Sequence, residues 1–209
     1  MASTALMLAS IMGSQAYAQN PADASGLATA TYLSCLLDHK ATTPRAAARA
    51  LVEQCGYKPD QPVDEFVDQA VAQIPKDPLA PITQQLAPLR DLYSDEQYAY
   101  FEQLDEILAG SASFDEMSNR LAGLEQQALT ELGRSDRDLN VLGSISAARY
   151  TFEFIRTYQG TGVVAKGFWR DLRRVGELVA AVAVGFAIAG PIGGALAGWA
   201  AIALMETDP

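Results

Sequence analysis

The most constraining feature of this 209-residue chain is a long segment near its C-terminal end that carries no charge. Residues 178–205 contain 22 hydrophobic residues among 28, and the others are glycine and proline. As a single helix the segment would be about 42 Å long, which exceeds the ~30 Å hydrocarbon core of a bilayer. A chain with such a segment must either bury it in a protein core or place it in lipid.

Small residues recur every four positions along this segment, which is the pattern of a glycine zipper. The candidate helix-packing positions are Gly185, Gly190, Gly194 and Gly198. Small side chains let helix backbones approach closely, and this drives association inside lipid. Gly190 precedes a proline, which predicts a kink or a break into a hairpin of two short helices. Three interpretations stay open: a membrane-inserting zipper, a buried hairpin released by a trigger, and an ordinary core helix.

Aromatic and basic side chains lie together immediately before the uncharged segment. Rings and cations in combination are typical of a membrane interface, although an amphipathic surface helix has the same composition. The candidate lipid-docking residues are Lys166, Phe168, Trp169, Arg170, Arg173 and Arg174. The expected partners are therefore membrane lipid and, through the C-terminal segment, a second copy of the chain; a protein partner is the further candidate.

Residues 1–18 form a second uncharged segment. The apolar run Ala5–Met12 has the length of a signal-peptide core, and Ala16 and Ala18 supply small residues at positions −3 and −1 of a cleavage site. No Lys or Arg lies near Met1, which departs from the usual pattern and leaves an apolar helix packed on the body as the alternative. We expect a signal peptide and a protein that is periplasmic, extracellular or associated with the envelope membrane.

Two cysteines, Cys35 and Cys55, flank a predicted helical hairpin. The second helix of this hairpin starts with Thr43 as its N-cap and stops at Gly56. A disulfide across the hairpin fits an exported protein, because such bonds persist in oxidising compartments. Two buried free thiols are one alternative, and a metal site that adds His39 is a weaker one, because no fourth ligand is evident. We expect the disulfide and no metal.

Prolines, glycines and helix-capping residues along the chain predict its further organisation. A stapled hairpin and a short helix are expected over residues 19–75, a Pro-rich linker over 76–93, an acidic three-helix body over 94–160 and the basic and apolar tail over 161–209. Three capping motifs begin the helices of the body, and they are Ser94 with Gln97, Ser113 with Glu116, and Ser135 with Asp138. Each is followed by an apolar stripe of helical period, and no segment alternates with period two, so we predict an all-α helical bundle.

The charge distribution and the missing motifs limit the classes of function. The formal net charge is −10, and residues 60–131 hold 15 acids against 3 bases, which argues against nucleic-acid binding. No nucleotide-binding, metalloprotease or EF-hand motif occurs in the sequence. The single histidine, His39, lies at a predicted helix end where solvent reaches it. We expect no catalytic residue and no cofactor; an enzyme with carboxylates brought together from distant helices is the remote alternative.

The tail resembles a known class of bacterial proteins. Its sequence GPIGGALAGWA is similar to the hydrophobic tails of bacteriocin-like and glycine-zipper envelope proteins, and SISAARYTFEFI is similar to a stretch before such tails in uncharacterised secreted proteins. The resemblance covers residues 139–205 and implies membrane insertion or self-assembly, with an antibacterial or pore-forming role. The large body and the missing double-glycine leader depart from small bacteriocins. The sequence thus predicts a membrane-active exported protein, or else a non-enzymatic envelope protein with a tail anchor.

Overall fold

The computed structural model describes residues 20–157 and 171–207, and in these ranges the chain is helical and contains no strand. Its elements are α1 (Asp23–His39), α2 (Pro44–Glu53), α3 (Val63–Ala72), α4 (Ile82–Leu86), a 3₁₀ helix (Ala87–Leu92), α5 (Asp95–Gly110), α6 (Phe114–Glu131), α7 (Asp136–Thr157) and α8 (Leu172–Thr207). The predicted all-α fold is confirmed. The signal peptide predicted over residues 1–18 lies outside the described residues.

The helices begin where local capping chemistry predicts. At α5 the Ser94 hydroxyl accepts a hydrogen bond from the Gln97 N–H, and the Gln97 side chain accepts one from the Ser94 N–H. At α6 the Ser113 hydroxyl accepts a hydrogen bond from the Glu116 N–H, while the Glu116 carboxylate accepts one from the Ala112 N–H, and Thr43 caps α2. Each cap satisfies N–H groups that have no partner inside their helix, so each start is fixed by residues within a few positions.

Three helices, α1, α7 and α8, form the centre of the molecule. α6 packs on α7, α5 packs on α6 and α8, and α2 lies against α3 and α1. The resulting hydrophobic core is continuous from Ala22 to Met205. It therefore joins helices from both sides of the predicted boundary at residues 76–93, and α1 lies deep among the C-terminal helices.

The Pro-rich segment between α3 and α5 contributes to this core. Ile82 and Leu86 of α4 are fully buried. The Asp105 carboxylate of α5 accepts hydrogen bonds from the backbone N–H groups of Ile82 (2.7 Å) and Thr83 (2.9 Å) at the start of α4. A carboxylate at a helix N-terminus satisfies free donors and complements the helix dipole. The segment is thus tied to α5 by both apolar and polar contacts.

Helix α8 is a hairpin with two arms. Ala189 (φ −141°) and Gly190 (φ 64°) have non-helical backbone angles and separate residues 172–188 from residues 191–207. Gly190 occupies the left-handed region, which glycine enters without a steric penalty. Pro191 then starts the second arm, where its missing N–H leaves no hydrogen bond unmade. Of the two outcomes that the sequence allowed at this point, the hairpin is the one that forms.

Candidate functional site

The two arms of the α8 hairpin approach each other through small residues. A Cβ atom on Gly185 would lie 2.2 Å from the Gly193 carbonyl oxygen and 2.6 Å from the Ala197 Cβ. A Cβ on Gly194 would lie 3.0 Å from the Val182 carbonyl oxygen. Real Cβ atoms do not approach so closely, so the glycines are required for this packing. The ridge predicted as a zipper between separate helices is therefore used inside one hairpin.

The same kind of close contact joins the hairpin to helices α1–α7, which are called the body from here on. A Cβ on Gly194 would meet the γ-methyl carbon of Thr29 in α1 at 2.7 Å. Gly198 lies against Leu33 of the same helix, where a Cβ would come within 3.1 Å. On the other side, the ring of Phe186 fills the space above Gly143 of α7. The hairpin is thus inserted between α1 and α7 with little room to spare.

Gly190 has a different role from the three other predicted packing glycines. Its φ is positive, and a Cβ placed on it would meet nothing within 4 Å. It therefore shapes the turn and makes no close helix contact. The sequence grouped it with Gly194 and Gly198 because the spacing is four, but the break at the turn interrupts that spacing.

The turn of the hairpin lies at the surface. Ile188 is 36% exposed, and residues 189–192 are half-buried. Just before the turn, the Ala187 carbonyl accepts a hydrogen bond from the Asn140 side-chain amide of α7 (3.2 Å). The Asn140 side-chain oxygen in turn accepts one from the Tyr93 hydroxyl (2.8 Å), and burial raises the pKa of that hydroxyl. This relay ties the end of the first arm to α7 and to Tyr93, which lies between the 3₁₀ helix and the Ser94 cap of α5.

The predicted lipid-docking residues fall partly within the described ranges. Arg173 is 76% exposed in its side chain and pairs with Glu177 one turn later (2.9 Å), and Arg174 pairs more loosely with Asp171 (3.7 Å). Both lie at the start of α8, at the end of the arm away from the turn. Lys166, Phe168, Trp169 and Arg170 lie outside the described residues.

The structure joins Cys35 of α1 to Cys55 after α2 by a disulfide, as predicted. The sulfur atoms are 2.01 Å apart and the Cα atoms 5.8 Å apart. The metal site that would have used both thiols with His39 is thereby excluded, and His39 is exposed at the end of α1. No group of three or more His, Cys, Asp or Glu side chains with metal-binding geometry occurs in residues 20–157 and 171–207.

A buried polar cluster, which the sequence did not reveal, joins the start of α1 to α6 and α7. Arg149 of α7 lies between two carboxylates: its Nη2 is 2.8 Å from an Asp23 oxygen and its Nε 2.7 Å from a Glu125 oxygen. The Nε contact is an ion pair that lacks hydrogen-bond alignment. The Asn20 amide donates to the other Glu125 oxygen (2.8 Å), and the Tyr150 hydroxyl donates to Asp23 (2.7 Å).

These contacts indicate a structural tie between helices. Both carboxylates are engaged by cations or neutral donors, as buried charges must be to avoid a large desolvation cost. Burial, together with the hydrogen bond to Asp23, raises the pKa of the Tyr150 hydroxyl, so this donor keeps its proton at neutral pH. Asn20 and Asp23 are more than 100 residues from their partners in α6 and α7 along the chain, so no local pattern could have revealed the cluster.

By length and composition, residues Leu172–Glu206 could cross a membrane, but 72% of the apolar window in this helix is buried inside the structure. The candidate site is accordingly a hairpin that is uncharged from residue 178 to 205, with mostly buried arms and a turn that reaches the surface. Comparison with protein-family models, with curated proteins and with solved structures finds no match to this chain.

Proposed function

We propose that this protein is exported and that its α8 hairpin leaves the body, turn first, to insert into or assemble on a membrane. The observation that carries the proposal is that the hairpin, uncharged from residue 178 to 205 and mostly buried, ends in an apolar turn that reaches the surface, with Ile188 36% exposed and residues 189–192 half-buried. An inserting hairpin needs an apolar turn at the surface to make the first contact with lipid. The disulfide supports export, because such bonds persist outside reducing compartments.

The packing of the hairpin is suited to such a transfer. Contacts between the arms, at Gly185 with Gly193 and at Gly194 with Val182, move with the hairpin and remain useful in lipid. Release separates mostly apolar surfaces, as at Leu33 with Gly198, and lipid tails solvate apolar surface as well as a protein core does. The uncharged parts of the arms would be about 16 Å and 22 Å long, enough to reach the bilayer midplane.

A hairpin topology also places the charged residues at the two ends of α8 on the same side of the membrane. A single straight span would place Arg173 and Arg174 on one side of the membrane and Glu206 on the other, with the basic end outside the cytoplasm. This arrangement opposes the positive-inside rule. A hairpin keeps both ends on the side of the body, where the arginines meet anionic headgroups. The topological conflict of a spanning tail does not arise.

The experiment compares two charge substitutions in vesicle flotation with vesicles that contain phosphatidylglycerol. Ile188→Glu charges the hairpin turn, and Leu92→Glu charges a somewhat more exposed apolar residue in the 3₁₀ helix (47% against 36% for Ile188). A carboxylate in the membrane costs about 3 kcal/mol, so we expect Ile188→Glu to lower the bound fraction at least tenfold. Leu92→Glu should bind like the unmodified protein. Equal binding by both variants would show that the turn does not enter lipid.

A covalent lock tests release directly. The atom nearest the Cβ position of Gly194 is the γ-methyl carbon of Thr29 (2.7 Å), which Thr29→Cys removes, and the two Cβ atoms would be about 4 Å apart, a separation that a disulfide accepts. The Val182 carbonyl oxygen, 3.0 Å from that Cβ position, must move by a few tenths of an ångström to admit the lock. Thr29→Cys with Gly194→Cys should abolish dye release from vesicles until a reductant is added. The unmodified protein treated with reductant controls for loss of Cys35–Cys55. Dye release by the locked protein would contradict the proposal.

A second candidate function is favoured by the burial of most of α8. In this alternative the hairpin never leaves the body, and the protein is a non-enzymatic envelope component that binds a protein partner. It predicts that neither Ile188→Glu nor the disulfide between Cys residues at positions 29 and 194 alters any association of the protein with membranes.

A further inference from the structure

A cleft beside the hairpin turn is lined by aromatic rings and is not used by the proposed function. It has a volume of about 510 Å³, in the usual range of small-molecule sites, and lies between α1, α3, the loop after α2 and the α8 turn. Tyr32, Tyr57 and Phe66 line it, with ring centroids 6.0 Å apart for Tyr32 and Tyr57 and 5.0 Å apart for Tyr57 and Phe66. The planes of the two tyrosine rings are nearly perpendicular.

The central ring of this group is held in place by covalent and backbone constraints. Tyr57 follows Cys55 by two residues, and Cys55 is bonded to Cys35 of α1. Gly56 has a φ of 77°, and the Tyr57 N–H donates to the Leu51 carbonyl (2.9 Å). A ring fixed in this way loses little conformational entropy when a ligand packs against it. The cleft is therefore largely formed before any ligand arrives.

The charge around the rings is negative. Asp60 lines the cleft, and no lysine or arginine is among its lining residues within the described ranges. The Asp60 carboxylate forms no ion pair with the residues of the described chain. Burial, followed by the charge of Asp60 and the neighbouring Tyr32, raises the pKa of the Tyr57 hydroxyl.

We propose that this cleft binds a small organic cation with a quaternary ammonium group. Ring faces carry negative charge density and attract a cation, and the perpendicular rings of Tyr32 and Tyr57 can contact different sides of the same group. Phe66, which is 7% exposed and tilted by 39° to Tyr57, packs against the Tyr57 ring and supports it. A methylated ammonium is the best match because its methyl groups pack on the rings and it is weakly hydrated. Asp60 supplies the countercharge at the rim. Neutral polar side chains, including Gln69 and Gln73, complete that rim and can bind the remainder of the ligand.

The ligand would also contact the hairpin. Ala189, Pro191 and Ile192 of the turn form one wall of the cleft. A ligand that binds only when this wall is in place stabilises the folded protein in proportion to its occupancy. This stabilisation is measured in solution without vesicles, so its failure is distinguishable from a failure of membrane insertion.

The test is a titration of the full chain with choline, in which calorimetry measures binding and thermal unfolding measures the shift in Tm. The matched control ligand is 3,3-dimethyl-1-butanol, which has the shape of choline and no charge. We expect saturable choline binding with a raised Tm, and binding of the neutral analogue about tenfold weaker or more. Equal affinity for the two ligands would overturn the proposal, as would absence of choline binding. Binding of a neutral sugar such as N-acetylglucosamine in place of choline would also overturn it, because the cleft would then not select a cation.

Variants localise the site. Tyr57→Leu should weaken choline binding about tenfold, whereas Tyr57→Phe, which keeps the ring, should retain it. Asp60→Asn should weaken binding several-fold, and Asp77→Asn, an exposed carboxylate outside the cleft, should leave it unchanged. Circular dichroism shows whether each variant is folded. Folded Tyr57→Leu or Asp60→Asn protein with unaltered affinity would place the ligand elsewhere and contradict the assignment.

Discussion

The α8 hairpin and the α5–α6 helix pair are both parts of one core and both bury large apolar side chains, but their closest contacts and their outer faces differ. The α5–α6 pair buries large side chains completely, among them Phe101, Leu104, Met117 and Leu121, and presents acidic residues to solvent. The α8 hairpin is uncharged from residue 178 to 205 and makes its closest contacts with glycine and backbone atoms. The charged outer face restricts α5 and α6 to water, whereas the surface of α8 suits both a protein core and lipid.

The largest expected effect comes from truncating a side chain in the α5–α6 pair. Phe101 of α5 is fully buried and packs edge-on against the rings of Tyr93 and Tyr98. Phe101→Ala should lower the free energy of unfolding by about 4 kcal/mol, because it removes apolar contact and leaves a cavity. Urea denaturation measures the loss. A loss below about 1 kcal/mol would mean that large side chains do not hold this region, and the contrast with α8 would fail.

In α8 the damaging change is enlargement. Gly185→Ala places a Cβ 2.2 Å from the Gly193 carbonyl oxygen, so the arms must separate, at a cost of about 3 kcal/mol. Gly123→Ala is the matched control, because Gly123 of α6 has open space around its Cβ position. That variant should be stabilised by up to about 1 kcal/mol through helix propensity. Opposite signs in thermal unfolding would support the comparison, and two equal shifts would break it.

The Asn140 side chain, which ties α7 to the hairpin and is called the tether here, gives a smaller effect that links stability to release. Asn140→Ala removes the hydrogen bond to the Ala187 carbonyl and leaves the Tyr93 hydroxyl without its acceptor. The expected loss is about 1–2 kcal/mol in chemical denaturation. If the hairpin leaves the body, the same change should increase vesicle binding.

The control for the tether is Asn119→Ala at an exposed position of α6, which should raise stability by about 0.5 kcal/mol through helix propensity and leave vesicle binding unchanged. An Asn140→Ala protein that loses stability but binds vesicles as before would separate the tether from release. That result would favour the alternative in which α8 stays in the core.

Features fixed by neighbouring residues could be predicted from the sequence, and features fixed by distant contacts could not. Ser94 and Gln97 define the start of α5 because both halves of the capping box lie within four residues. The disulfide was predictable because the chain has two cysteines. By contrast, Asn20 meets Glu125 across 105 residues, and only the folded chain brings them together.

The candidate site was predicted in composition but not in arrangement. The sequence identified Gly185, Gly194 and Gly198 as close-packing residues, and the structure uses all three in this way. It could not identify Gly193 as the main partner of Gly185, because that pairing depends on where the hairpin turns. Nor could it predict burial, since an uncharged apolar segment satisfies a core and a bilayer equally well.

The smallest expected effect concerns the start of α7, where capping and tertiary contact meet in one carboxylate. The Asp138 side chain accepts hydrogen bonds from the Gln97 side chain of α5 (2.8 Å) and from the Ser135 N–H (3.0 Å). The bond from Gln97 is the largest cause that lowers the pKa of Asp138, and burial opposes it. Since this pKa is lower in the folded protein than the ~3.9 of an unfolded chain, the carboxylate adds stability above about pH 4. That contribution is lost as the pH falls through the folded pKa.

Asp138→Asn should therefore cost about 1 kcal/mol at pH 7, the usual value of a helix cap, and less as the medium becomes acidic. Unfolding free energies measured from pH 7 down to pH 2 would follow the convergence of the variant with the unmodified protein. Asp136→Asn, in the same turn but exposed, should cost a few tenths of a kcal/mol through the helix dipole. A difference for Asp138→Asn that stays constant with pH would show that the charge of Asp138 does not stabilise this junction. The junction between α5 and α7 would then owe its stability to packing and to hydrogen bonds that do not depend on charge, as the α8 hairpin does.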